Sequence, residues 1–141
     1  MALGDWYTEE GEWFSERTDS NGNMLYRVYI PENAGPDTKI EIMSCNPGCW
    51  PDWDPYIKNT MNPDHAYMII PSIQDGNQGG AASFFTDRLL DITEEYNIPT
   101  ENINMYSWSN GNKGISGIGT ELQSRGLTMG TFVNIFGNFD G

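Results

Sequence analysis

Hydrophobic and polar residues follow two different patterns along this chain. Residues 25–30, 39–44, 66–70 and 103–108 are short stretches rich in β-forming side chains, each followed by a proline, a cysteine or a turn of small residues. Between residues 81 and 96 the apolar side chains instead recur every three or four positions, as they do in an amphipathic helix. The pattern therefore predicts four strands and one helix.

The order of the elements predicts an α/β fold. Asn21 and Gly22 form a strong turn signal before the 25–30 strand, which predicts an antiparallel hairpin at the N-terminus. From residue 66 onward the pattern reads strand, helix, strand, helix, strand, with the second helix over 111–124 and the last strand over 131–136. Because such alternation builds right-handed crossovers, we expect three layers: a mostly parallel sheet with helices on both faces.

Glycines interrupt the second helix of this prediction. Gly114, Gly117 and Gly119 lie within it, and each costs up to about 1 kcal/mol relative to alanine in a helix interior. The glycines predict that this helix lies unusually close to the sheet. Gly126 follows it and is expected to end it.

Length and charge limit the class of protein. The 141 residues suit a single domain over 1–141, and the formal net charge of −13 argues against a nucleic-acid partner. No run approaches the roughly 20 apolar residues of a membrane span. We expect a soluble protein with no membrane partner. The N-terminus shows no secretory signal, but a domain cut from a longer precursor would lack one too, so the compartment is left open.

The cysteines leave three alternatives. Cys45 and Cys49 are separated by three residues, so they are unpaired structural thiols, a local disulfide across a tight turn, or part of a metal or redox site. Two thiols and the distant His65 make a poor zinc set. We expect neither a metal nor a cofactor.

The chemistry of the chain is concentrated where the 103–108 strand ends. Ser107, Ser109 and Gly111 form a Ser-x-Ser-x-Gly turn directly after that strand. In a nucleophile elbow the central serine occupies a strained strand-to-helix corner, and small residues two positions away on either side let the backbone pass. Ser109 is therefore a candidate nucleophile, with a plain turn serine as the alternative.

Four stretches together resemble the amino-terminal half of an α/β-hydrolase, and most of all an esterase of the feruloyl-esterase or polyhydroxybutyrate-depolymerase type. They are residues 26–33, 46–49, 67–71 and 98–111. Two positions depart from the family pattern: Ser107 stands for the first glycine of the elbow, and Pro47 for the histidine of an upstream turn. The resemblance implies a partial α/β-hydrolase fold, truncated at its C-terminus.

The resemblance also implies roles for individual residues. Ser109 would be the nucleophile, and the backbone amides of Asn110 and Cys49 would hold the oxyanion. The family places its general-base histidine well downstream of the elbow, whereas the only histidine here, His65, lies upstream of it. Asp140 is a candidate for the catalytic acid, with a turn aspartate as the alternative.

Two functions follow from this pattern. The first is a serine esterase, or part of one, that acts on a small-molecule or carbohydrate-linked ester between aromatic walls formed by Trp50, Trp53, Tyr56 and Trp108. The second is a non-catalytic binding or structural module of a multi-domain surface or virion protein, in which the same aromatics grip a partner or form a small core. A buried last strand would leave an apolar edge, so we expect a homo-oligomer or pairing with a missing C-terminal segment.

Overall fold

The computed structural model describes residues 3–10, 25–45, 61–71, 78–108 and 112–135. Six strands, two α-helices and one short 3-10 helix, Thr100–Asn102, lie in this part of the chain. The strands are β1 Trp6–Glu10, β2 Leu25–Tyr29, β3 Ile40–Cys45, β4 Ala66–Pro71, β5 Ile103–Trp108 and β6 Phe132–Ile135, and the helices are α1 Gln78–Tyr96 and α2 Asn112–Ser124.

The described strands form one mixed sheet in the order β1-β2-β4-β3-β5-β6. β1 pairs with β2 and β2 with β4 in antiparallel fashion, whereas β4, β3, β5 and β6 run parallel to one another. The predicted α/β class, with a mostly parallel sheet and an antiparallel pair at the N-terminus, is confirmed. The crossovers β4-α1-β5 and β5-α2-β6 both advance toward β6, so right-handed connections put both helices on one face. The β3–β4 connection, which the prediction needs for its second helical layer, lies mainly outside the described residues.

Helix α1 begins earlier than its apolar periodicity predicts. It starts at Gln78, before the predicted start at residue 81, and includes Gly79 and Gly80. The cost of glycine applies to the middle of a helix, whereas these two residues lie in its first turn. The predicted apolar stripe is confirmed, since Phe85, Leu89 and Ile92 are buried.

Both helices end in the same way. After α1, Asn97 adopts a left-handed conformation with φ 56°, and the Ile98 N–H donates to the Thr93 carbonyl at 2.8 Å. After α2, Gly126 has φ 75° and the Leu127 N–H donates to the Leu122 carbonyl at 3.0 Å. These are Schellman ends, in which a left-handed residue lets the chain satisfy the last carbonyls. The predicted stop at Gly126 is confirmed.

The expected reason for the glycines of α2 is wrong at Gly119. A Cβ built on Gly119 would meet only the Met129 Sδ, at 3.8 Å, which is an ordinary van der Waals contact. Nothing at this position requires a close approach of backbone, so an alanine would fit. The side chains that bury α2 are Ile115, Ile118 and Leu122.

The core lies between the sheet and the two helices. Alternate residues of β3, β4 and β5 point into it, because successive strand side chains face opposite sides of a sheet. These buried residues are Ile40, Ile42, Ala66, Met68, Ile70, Ile103 and Met105. Full burial of one such side chain stabilises the fold by roughly 1.5–3 kcal/mol. Among the described helices none is long and apolar enough to cross a membrane.

Polar contacts tie loops to the amino ends of the parallel strands. The Asn102 side-chain amide donates to the carbonyls of Pro36 and Thr38, at 2.9 and 3.0 Å, and its oxygen accepts from Lys39 Nζ at 3.3 Å. Asn102 directly precedes β5, and residues 36–39 directly precede β3. One side chain therefore joins the starts of two neighbouring strands.

The segment before β6 docks on the first residues of β5. The Gly130 N–H donates to the Ile103 carbonyl at 2.8 Å, and the Met105 N–H donates to the Thr131 carbonyl at 2.7 Å. The Asn104 side-chain oxygen accepts from the Thr131 N–H at 3.1 Å. A Cβ on Gly130 would lie 2.7–2.8 Å from three oxygen atoms, so this contact requires glycine.

Candidate functional site

The carboxyl ends of the four parallel strands meet at one edge of the sheet. Cys45 of β3 is in register with Pro71 of β4, and Trp108 of β5 is in register with Ile135 of β6. Ser44 pairs with Ser107, so Cys45 and Trp108 continue adjacent strands at the same level. In open α/β sheets ligands bind in the crevice outside this edge.

The Ser-x-Ser-x-Gly motif lies between the end of a described strand and the start of a described helix, as a nucleophile elbow does. β5 ends at Trp108 and α2 begins at Asn112, so only three residues separate strand from helix. This context distinguishes the motif from a chance match, because a serine in an ordinary hairpin or loop would not join a buried parallel strand to a helix.

Most of the predicted site residues lie outside the described residues. The exception is Trp108, which is the last residue of β5. The roles of all the predicted site residues, Trp108 included, stay predictions. The residues concerned are the nucleophile Ser109, the oxyanion residues Asn110 and Cys49, the aromatic residues Trp50, Trp53 and Tyr56, and the acid Asp140.

The predicted oxyanion turn starts beside the elbow. Cys45 ends β3, and the chain leaves from there toward Cys49. Trp108 lies on the neighbouring strand at the same level, and the chain leaves from there toward Ser109. The segments that lead to Cys49 and to Ser109 therefore start from adjacent positions on one edge of the sheet.

His65 is at the opposite edge of the sheet. It directly precedes Ala66, which is in register with Ile40 of β3, and Ile40 is in register with Ile103 of β5. This row lies five residues before the row of Cys45 and Trp108, or roughly 16 Å along the strands. His65 therefore cannot reach the edge where Ser109 follows β5, as its sequence position indicated.

His65 instead contacts a buried carboxylate. Glu41 of β3 is 7% exposed, and its Oε1 lies 3.0 Å from His65 Nδ1. Among the described residues, none is a hydrogen-bond partner of its buried Oε2. Sequence reasoning missed this pair because residues 39–44 alternate like a half-exposed strand, a pattern that puts a glutamate between two isoleucines on the solvent side.

Tyrosines surround the Glu41 carboxylate on the face of the sheet opposite the helices. Burial, and then the negative charge of Glu41, raise the pKa of Tyr106 to about 12. Burial also raises the pKa of Tyr67, whose hydroxyl accepts a hydrogen bond from the Asn62 N–H at 2.7 Å. Both phenols therefore stay protonated at neutral pH. Among the described residues there is no group of three or more His, Cys, Asp or Glu side chains that could hold a metal ion.

Comparison with known proteins relates this fold to that of esterases. A bacterial heroin esterase superimposes with a TM-score of 0.59 at 11% identity, over 92% of this chain and 43% of the esterase. A hyperthermophilic esterase from the archaeon Pyrobaculum calidifontis gives a TM-score of 0.61 at 10% identity, over 94% and 44% of the two chains. An alpha/beta hydrolase enzyme from the metagenome of Lake Arreo, Spain, gives 0.57 at 9% identity, over 96% and 44%.

Sequence comparison adds no relative: no protein-family model matches this chain, and no curated protein matches it. The chain spans less than half the length of these three solved proteins. At these identities the likeness is one of fold. The chain has part of the fold of these proteins, a partial α/β-hydrolase fold.

Proposed function

We propose that this chain is the amino-terminal part of a serine esterase, with Ser109 as its nucleophile. The observation that supports this most strongly is the position of the Ser-x-Ser-x-Gly turn, which joins the end of β5 to the start of α2 at the carboxyl edge of the parallel strands. On a fold shared with esterases, this is where an elbow serine would be exposed to substrate.

The general base must come from outside these 141 residues. A serine hydroxyl needs a base to take its proton, and the only histidine of the chain lies at the far edge of the sheet. We propose that a further segment of the protein, or a second polypeptide, supplies the histidine. That segment would pack beside β6, the last described strand of the sheet, next to the strand ends.

The remaining roles follow the resemblance. The Asn110 and Cys49 amides would hold the oxyanion that forms when Ser109 attacks an ester carbonyl, and Asp140, five residues after β6 ends, would orient the base. Trp50, Trp53 and Trp108 would form the acyl or alcohol subsites. Aromatic walls suit esters of phenolic acids or carbohydrate-linked esters, as in the feruloyl-esterase type.

Chemical rescue tests this proposal without the missing segment. We would measure hydrolysis of p-nitrophenyl acetate by the 141-residue chain with and without added imidazole, and subtract the rate of a Ser109→Ala variant under the same conditions. A positioned general base contributes roughly 10²–10⁴-fold, so free imidazole should restore part of that rate when Ser109 is present. Ser107→Ala is the matched control, because it changes the neighbouring serine of the same turn.

Two results are informative. An imidazole-dependent rate that persists in Ser107→Ala and disappears in Ser109→Ala supports the esterase. Equal rates in the folded wild type and Ser109→Ala, at every imidazole concentration, would contradict it and favour a non-catalytic module on a hydrolase fold.

A further inference from the structure

No further inference is drawn: the strongest candidate, the side-chain cluster of Glu41, Tyr67 and Tyr106 on the face of the sheet opposite the helices, rests on one buried carboxylate oxygen, and nothing among the described residues shows what covers it.

Discussion

The two edges of the parallel strands differ in what their residues do. At the amino edge, side-chain contacts join separate segments of the chain: Asn102 joins the starts of β3 and β5, and His65 pairs with Glu41. At the carboxyl edge the strands end at one level, and the residues predicted to carry the chemistry follow them in sequence. The role of a polar residue in this fold therefore depends on the edge of the sheet at which it lies.

The comparison explains why His65 does not complete a triad although it has an orienting carboxylate. The Glu41–His65 pair has the donor–acceptor arrangement of an acid–base dyad, but the strand register puts His65 at the amino edge, roughly 16 Å or more along the strands from the end of β5. If the amino edge is structural, substitutions there should lower stability and leave Ser109-dependent chemistry in the folded protein intact.

The largest effect on stability at the amino edge is expected at Gly130. Gly130→Ala places a methyl group 2.7–2.8 Å from the Glu101 and Ile103 carbonyls and the Asn104 side-chain oxygen, so the segment before β6 must move away from β5. We expect a loss of about 3 kcal/mol in the free energy of unfolding, measured by urea denaturation. A loss below about 0.5 kcal/mol would show that the segment is not held against β5.

A smaller loss is expected at Asn102. Asn102→Ala removes two donors to backbone carbonyls and should cost about 1–2 kcal/mol in the same denaturation experiment. Asn102→Asp is the matched control, because it preserves size and the acceptor for Lys39 while removing both donors. We expect Asp to be at least as destabilising as Ala; full stability of Asn102→Asp would indicate that the Lys39 contact matters and the donors do not.

The sequence predicted the regular part of this fold well. Strands 103–108 and 66–70 and the apolar stripe of α1 follow from local periodicity, and burial of Phe85, Leu89 and Ile92 agrees with it. The strand and the helix on either side of Ser109 were also accessible, because they are consecutive in sequence.

The amino-edge network could not be predicted from the sequence. Its partners are far apart along the chain: Glu41 and His65 are 24 residues apart, and Asn102 and Pro36 are 66 apart. The local sequence pattern does not show which of these distant residues meet, because that depends on the register in which the strands pair. Burial of Glu41 opposes the local rule that a charged residue at an alternating position faces solvent, and only the packing of the completed sheet overrides that rule.

The smallest effects are expected at one glycine within α2 and one just after it, which should respond in opposite directions. Gly119→Ala meets no close atom and should raise the free energy of unfolding by about 0.5–1 kcal/mol. Gly126→Ala forces a side chain into a left-handed conformation at φ 75° and should lower it by about 1 kcal/mol. Effects of the same sign would contradict the assignment of Gly119 as replaceable and Gly126 as a required helix stop.

The central claim is that the chain turns between β5 and α2 so that the Ser109 hydroxyl is exposed at the carboxyl edge of the sheet. Reaction with a fluorophosphonate probe in the presence of imidazole, followed by peptide mass spectrometry, tests it most directly. The account predicts one adduct, on Ser109, that is retained in Ser107→Ala and lost in Ser109→Ala. An adduct on a different residue, or a folded protein that forms none, would contradict it.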